Sequence, residues 1–227
     1  MRILLFEHDQ VYGAKLRANL HRAGYTVDWL PQGTALSDVS HYEHFGALIF
    51  GHDLSNSRRR RGRMRGMSVK RVRENGHQIP ILVLSGHDDI GEEIHLLDAG
   101  ADDYLVKPVH PEVIHARLRA IMRRKAGRPD NAPITYGHIR LDLNKREVRY
   151  KDKPVSLNRK EYLLLVKLLE NNGRVQPREN LEELLYGWDS EKESNTLEVY
   201  IYRLRKKFFS SFIQTVRGVG YVIREAA

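Results

Sequence analysis

Acidic, imidazole, hydroxyl and ammonium groups follow directly after short apolar runs in the first half of this 227-residue chain. The four run ends carry Glu7–Asp9, Gly51–Asp53, Ser85–His87 and Lys107–Pro108. Carboxylates are suited to hard metal ions, while a hydroxyl and an ammonium group can hold the oxygens of a phosphoryl group. One of these ends begins with Gly51, which has no side chain and therefore cannot accept a phosphoryl group.

The elements that must position these groups alternate between apolar strands and amphipathic helices. Strict alternation predicts a parallel sheet covered on both faces, with ligands bound beyond the carboxyl ends of its strands. The predicted strands are Ile3–Phe6, Thr26–Leu30, Ala47–Phe50, Ile81–Ser85 and Asp103–Val106. The predicted helices are about Val11–Ala23, Thr34–Ser40, Met67–Asn75, Ile90–Ala99 and Pro111–Arg124.

A Gly- and Pro-bearing segment at 125–133 reads as a linker, which divides the chain into domains at 1–124 and 134–227. The second domain begins with two alternating strands at Ile139–Leu143 and Glu147–Tyr150. Three helices follow, at about Asn158–Asn171, Pro177–Leu185 and Asn195–Phe208, and a hairpin at Ile213–Ile223 closes the domain. This arrangement predicts a winged helix-turn-helix.

The third of these helices has the composition of a DNA-reading element. Its apolar residues recur at i, i+4, i+7 and i+11, which predicts a buried stripe of Leu197, Ile201, Leu204 and Phe208. Basic and aromatic residues on the other side suit a major groove, and Arg217 at the hairpin tip suits a minor groove. An ordinary surface helix is the alternative. The predicted DNA-binding residues are Asn195, Thr196, Val199, Tyr200, Arg203, Lys206, Lys207, Thr215 and Arg217.

Composition limits the classes of function. The net charge of +9 and a pI near 9.7 suggest a polyanionic partner, although a solvated basic surface explains them equally well. The absence of cysteine excludes disulfides and thiolate metal sites. No apolar stretch is long enough for a membrane span, and no signal peptide is evident, so we expect a cytoplasmic protein.

Several motifs together resemble the OmpR/PhoB-type response regulators. In the second domain these are Asn158–Leu165, Asn195–Lys206 and Thr215–Tyr221, which most resemble the PmrA/QseB-like branch. In the first domain they are Arg2–Glu7, Gly100–Pro108 and His115–Arg119. The resemblance implies a receiver domain followed by a DNA-binding domain. It also implies a dimer that binds direct-repeat promoter DNA and contacts RNA polymerase.

By this resemblance, the receiver pocket keeps Lys107, Ser85, the switch aromatic Tyr104 and one acidic position, Glu7. The second acidic position is His8, and the phosphate-accepting position is Gly51. Because imidazole is a poor ligand for Mg²⁺, we expect no cofactor and at most weak Mg²⁺ binding. Asp53 has the same strand parity as position 51, and Asp9 could replace His8, so phosphorylation at Asp53 is the alternative.

Two other features leave alternatives open. The run Arg58–Arg65 carries six arginines, which could form a solvated loop, contact DNA, or cover the pocket by pairing with Glu7, Asp9 or Asp53. His8, His52 and His87 could hold a transition metal, but loop histidines are more often solvated. We therefore predict no metal site.

The resemblance implies dimerisation through the helix at Ile90–Ala99, the strand at Asp103–Val106 and the helix at Pro111–Arg124. Glu93 and Val113 depart from the family's usual ion pair, which puts the usual dimer in doubt. The residues available for inter-subunit pairs are Glu93, Asp98, Asp102, Asp103, Arg117 and Arg124.

The sequence thus predicts a DNA-binding transcription regulator that acts without phosphorylation. Two alternatives remain, which are a conventional two-component regulator phosphorylated by a sensor kinase at Asp53 and a protein–protein adaptor that binds DNA weakly. Outside the damaged pocket, the sequence contains no nucleophile–base constellation, so we expect no enzymatic activity.

Overall fold

The computed structural model describes residues 1–30, 42–52, 67–125, 132–143, 145–187 and 196–224, with the backbone alone at 43, 52, 67, 68 and 196. The chain divides into two compact units between residues 127 and 128, within the predicted linker. No helix in the described ranges is long and apolar enough to cross a membrane. The predicted helix at Thr34–Ser40, Asp53, Asn195 and the run Arg58–Arg65 lie outside the described residues.

The N-terminal unit contains a five-stranded parallel sheet with the strand order β2-β1-β3-β4-β5. The strands are β1 (Arg2–Phe6), β2 (Thr26–Leu30), β3 (Ala47–His52), β4 (Ile81–Ser85) and β5 (Asp103–Val106). The described helices are α1 (Gln10–Arg22), α2 (Met67–Glu74), α3 (Ile90–Asp98) and α4 (Pro111–Lys125), together with a 3-10 turn at Tyr42–His44.

The sheet forms where the sequence has uninterrupted apolar runs, since the central strands are buried on both faces. Every residue of β1 and β4 is buried, which includes Arg2 paired with Asp28 at 2.6 Å. The predicted bounds of β2, β4 and β5 are confirmed. The predicted end of β3 at Phe50 is wrong, because the strand continues through Gly51 and His52, which pair with Leu84 and Ser85.

The strand register brings the chemically active ends to one edge of the sheet. Phe6 pairs with Phe50, and His52 pairs with Ser85, so β1, β3 and β4 end side by side at this edge. Helix α1 begins directly after β1, where the Asp9 carboxylate accepts hydrogen bonds from the backbone N–H groups of Val11 and Tyr12. Such an N-cap satisfies amides that would otherwise lack partners.

The C-terminal unit has the predicted winged-helix arrangement, preceded by a four-stranded antiparallel sheet. That sheet contains β6 (Ile134–Tyr136), β7 (Ile139–Asp142), β8 (Glu147–Tyr150) and β9 (Lys153–Pro154). The helices are α5 (Arg159–Glu170), α6 (Arg178–Tyr186) and α7 (Thr196–Lys207). A second sheet contains β10 (Gln176–Pro177), β11 (Gln214–Val216) and β12 (Gly220–Val222) in the order β10-β12-β11.

The core of this unit is built where α5, α6 and α7 meet. The predicted stripe of Leu197, Ile201, Leu204 and Phe208 is fully inside it, which confirms the orientation of α7. Helix α5 begins with a capping box, in which the Asn158 side chain accepts from the Glu161 N–H and the Glu161 side chain accepts from the Asn158 N–H. The two reciprocal bonds fix the first turn of α5.

Candidate functional site

Gly51 is a buried residue of β3, and the volume beside its Cα is already occupied. A Cβ at position 51 would lie 2.7 Å from the Cδ of Glu7 and 2.9 Å from the carbonyl oxygen of Phe6. Both distances are shorter than Cβ atoms tolerate, so any side chain here would displace Glu7. The Glu7 carboxylate therefore occupies the space that a residue-51 side chain would need.

Glu7 and Lys107 form an ion pair across this space. The Lys107 Nζ lies 2.6 Å from Glu7 Oε2, and the Glu7 side chain is only 1% exposed. The other carboxylate oxygen accepts from the Asp9 backbone N–H at 3.0 Å. The lysine also lies 4.7 Å from the centre of the Tyr12 ring. Burial, helped by the charge of Glu7, raises the pKa of Tyr12 to about 12, so this phenol is neutral at physiological pH.

A second carboxylate, Glu92 on α3, holds the hydroxyl groups of the pocket. Ser85 Oγ donates to Glu92 Oε2 at 3.0 Å, and the Tyr104 hydroxyl lies 3.4 Å from the same oxygen. Tyr104 also donates to the carbonyl of His87 at 3.0 Å. Burial raises the pKa of Tyr104, and the negative charges of Glu92 and Glu93 add to that rise. Tyr104 is therefore a buried hydrogen-bond donor.

Sequence reasoning did not identify Glu92 as a member of the pocket. The available signal was local, since Glu92 lies three residues after the N-cap Asp89 and four before the buried Leu96. That spacing places Glu92 and Leu96 on one side of α3, facing the sheet. The lysine, serine, tyrosine and Glu7 predicted for the pocket do lie together at its edge, but each is bonded to a group of the same chain.

The described residues at this edge do not fit a magnesium ion. Mg²⁺ requires oxygen ligands in near-octahedral geometry, but Glu7 is committed to Lys107 and Gly51 supplies no side chain. His8 is exposed, and the Asp9 carboxylate caps α1 instead of replacing the missing acid. Over the described part of the chain, no cluster of three or more His, Cys, Asp or Glu residues could hold a metal.

On α7, the outward face differs in part from the predicted one. Val199, Tyr202, Arg203 and Lys206 are exposed at the spacing i, i+3, i+4 and i+7, so they form one continuous face. Tyr202, which the sequence reasoning missed, is 64% exposed. The same helical spacing, counted from Val199 and not from the apolar stripe, would have predicted Tyr202 on this face.

Two of the predicted outer-face residues on α7 contact neighbouring parts of the same unit. Tyr200 is partly buried against the core, with the Lys160 ammonium 5.7 Å from its ring centre. The Lys207 ammonium lies 2.6 Å from the buried carboxylate of Glu161 and donates to the Ser156 carbonyl at 2.8 Å. Tyr200 and Lys207 therefore lie on the flank of the apolar stripe, where Tyr200 is partly buried and Lys207 remains exposed. Thr196 is the first residue of α7, and its side chain is outside the described part.

The hairpin β11–β12 lies next to α7 and is joined to it by Arg205. Arg205 Nε donates to the Ile213 carbonyl at 2.9 Å, and its terminal nitrogen donates to Thr215 Oγ1 at 2.8 Å. Arg217 is exposed in the turn, where Gly218 adopts a φ of +73° that favours glycine. The predicted Thr215 thus lies beside α7, but its Oγ1 already accepts a hydrogen bond from Arg205.

An ion-pair network holds α7 against α6 and β12. Arg178 forms a bidentate pair with Glu198 and a 2.7 Å pair with Glu182. The Tyr221 hydroxyl lies 3.5 Å from Glu198 Oε1. The hydrogen bond from Arg178 lowers the pKa of Glu198, so the pair persists at neutral pH. The network fixes the angle at which α7 presents its outer face.

Several predicted dimer residues are engaged within the N-terminal unit. Asp102 accepts from Arg73 at 2.9 Å and from the Ile81 N–H at 2.8 Å, and it lies 3.3 Å from Lys125. Asp103 pairs with Arg117 at 3.5 Å. The remaining predicted residues lie on the α3–α4 surface: exposed Asp98 and Arg124, and half-buried Glu93.

Exposed apolar side chains also lie on α3 and α4. Ile90, Ile94 and Leu97 form an exposed stripe along α3, and Val113 of α4 is exposed as well. Ile114 and Leu118 of α4 are in the core. A surface patch of this kind is typical of protein–protein contacts.

Comparison with known proteins agrees with this architecture. A family model described as "Response regulator receiver domain" matches residues 3–119, and one described as "Transcriptional regulatory protein, C terminal" matches residues 152–223. The chain is 39% identical over 226 residues to transcriptional regulatory protein QseB of Escherichia coli O157:H7, which covers 99% of this chain and 100% of QseB. It is also 39% identical over 228 residues to response regulator protein PmrA of Pseudomonas aeruginosa, which covers 100% of both chains.

Among solved structures, the chain is similar to response regulator DrrB, a Thermotoga maritima OmpR/PhoB homologue. The match has 24% sequence identity and a TM-score of 0.45, and it covers 98% of each chain. The two domain matches and the full-length relatives define a DNA-binding transcriptional response regulator. The chain belongs to the OmpR/PhoB family of response regulators.

Proposed function

We propose that this response regulator binds its promoter DNA and regulates transcription without phosphorylation of its receiver domain. The observation that carries the proposal is the Glu7–Lys107 ion pair beside Gly51. An acyl phosphate at that point of β3 needs a carboxylate side chain there. Position 51 has none, and the adjacent volume and the lysine are both taken by Glu7.

The energetics of the pocket support the same proposal. A phosphoryl group would have to separate Lys107 from a carboxylate that is almost fully buried. Breaking a buried ion pair by removing one partner costs about 3–5 kcal/mol, because the remaining charge is left uncompensated. The described residues form no carboxylate-rich Mg²⁺ site that would neutralise the added negative charge.

The proposed DNA contacts are the outer face of α7 and the tip of the β11–β12 hairpin. Arg203 can pair bidentately with guanine, Lys206 can hold a phosphate, and Arg217 can enter the adjacent minor groove. We extend the proposal to a homodimer formed through α3, β5 and α4, which binds direct-repeat sites in the cytoplasm and contacts RNA polymerase. The exposed α3 stripe and Val113 support that interface.

Phosphorylation at Asp53 is the second candidate, and one observation favours it. Strand β3 runs through His52, two residues beyond the predicted end, as the Asp53 alternative requires. Asp53 itself lies outside the described residues. Its parity with position 51 would direct its side chain to the same face of the sheet if the strand continued.

One experiment separates the two candidates. The full-length protein is incubated with acetyl phosphate and Mg²⁺, and its intact mass and its footprint on its own promoter region are recorded with and without this treatment. We expect no 80 Da adduct, as one phosphoryl group would add about that mass, and the same footprint in both conditions. A stoichiometric adduct that disappears in Asp53→Ala, or a footprint that requires acetyl phosphate, would refute phosphorylation independence.

A further inference from the structure

Helix α3 buries little apolar surface of its own. Leu96 is the only buried residue among its nine, while Ile90, Ile94 and Leu97 face outward. One buried leucine side chain gives a helix only a small part of the apolar burial that normally holds it on a sheet. The position of α3 must therefore depend on polar contacts as well.

Glu92 supplies those contacts. Its Oε2 accepts from Ser85 at the end of β4 at 3.0 Å and lies 3.4 Å from the hydroxyl of Tyr104 on β5. Ser85 is fully buried, and its Oγ also accepts from the His87 N–H at 3.1 Å. One carboxylate thus joins α3 to the ends of two neighbouring strands, and hydrogen bonds to a charged acceptor are the stronger kind.

We propose that Glu92 is an internal latch, which holds Ser85 and Tyr104 in one arrangement and fixes α3 with its apolar stripe in one position on the sheet. Glu7 binds Lys107 in the same way. At this edge, carboxylates of the chain itself therefore bind both the hydroxyl and the ammonium group. The latch rests on the proposed phosphorylation-independent function, because it explains how the dimerisation surface stays set without a chemical signal.

The test is hydrogen–deuterium exchange of the full-length protein, with Glu92→Ala compared with Asp88→Asn. Asp88 is an exposed acid just before α3, so its replacement removes the same charge without touching the latch. We expect exchange of the α3 amides to become about tenfold faster in Glu92→Ala, with α1 unchanged, because the lost bonds involve a charged acceptor. Equal α3 exchange in Glu92→Ala and Asp88→Asn would overturn the latch.

Two milder variants keep the test decisive if Glu92→Ala does not fold. Ser85→Ala and Tyr104→Phe each remove one hydroxyl donor, and each should speed α3 exchange by about threefold, a smaller effect than loss of the carboxylate. No change in either variant would refute the latch. A promoter footprint that requires acetyl phosphate would refute the proposed function separately, since α3 exchange in these variants does not depend on a phosphodonor.

Discussion

The molecule has charged groups at the edge of the receiver sheet and on the outer face of α7. They differ in whether they are already paired within the chain. At the sheet edge, Lys107 is bonded to a carboxylate of the same chain and is largely buried. On α7, Arg203 and Lys206 project from the helix into solvent. Residue type alone therefore does not identify a ligand-binding group, because a charged side chain that is already paired within the chain is not available to bind a ligand.

The largest expected effect is on stability and comes from breaking the Glu7–Lys107 ion pair. Lys107→Ala would leave the buried Glu7 carboxylate unpaired, so we expect the free energy of unfolding of the N-terminal unit to fall by about 3–5 kcal/mol. Urea unfolding followed by pulsed hydrogen exchange at the β4 amides measures it. Lys70→Ala is the control, because Lys70 and Glu74 form an exposed i,i+4 pair worth about 0.5 kcal/mol at most. A loss as small as the control's would show that the Glu7–Lys107 pair contributes little.

The next effect is on DNA affinity, with stability unchanged. Arg203→Ala should weaken binding to the footprinted promoter site by about 1–3 kcal/mol and relax the preference at one base position. Fluorescence anisotropy with matched and mutated sites measures both quantities. Arg149→Ala provides the control, since Arg149 is exposed on β8 outside the α7 face. Equal affinities for the two variants would remove Arg203 from the interface.

The smallest effect distinguishes two adjacent lysines of α7. Lys206→Ala should reduce the slope of log affinity against log salt by about 1, because one phosphate contact is lost, and leave stability unchanged. Lys207→Ala should leave that slope unchanged but destabilise the C-terminal unit by about 1–3 kcal/mol, because buried Glu161 loses its charged partner. If Lys207→Ala changed the salt slope and Lys206→Ala did not, our assignment of Lys206 to DNA and Lys207 to Glu161 would be wrong.

The sequence was sufficient for the strands of the N-terminal sheet and for the described helices, but it missed the short strands β6, β9 and β10. Three strands of the N-terminal sheet have the predicted bounds, because an uninterrupted apolar run between polar segments marks where a buried strand begins and ends. The burial of Leu197, Ile201, Leu204 and Phe208 followed from helical spacing alone. The sequence also showed directly that position 51 is a glycine and therefore has no side chain that could accept a phosphoryl group.

The sequence was not sufficient for the partners of charged side chains. Glu92 bonds to Ser85, and Asp102 bonds to Arg73 29 positions away, so these pairs depend on how helices dock on the sheet. Tyr200 and Lys207 flank the apolar stripe, where a small rotation of the helix decides exposure. Long side chains reach several ångströms across such a boundary, and periodicity does not specify where they end.

The filled space beside Gly51 also bears on how readily this regulator could be returned to phosphate control. A lone replacement of that glycine by aspartate would place the new side chain against Glu7, so the first mutational step towards an acceptor lowers stability before it restores any chemistry. A compensating change at position 7 or 107 would have to come with it. Restoring an acceptor at position 51 therefore requires a second change that makes room for its side chain.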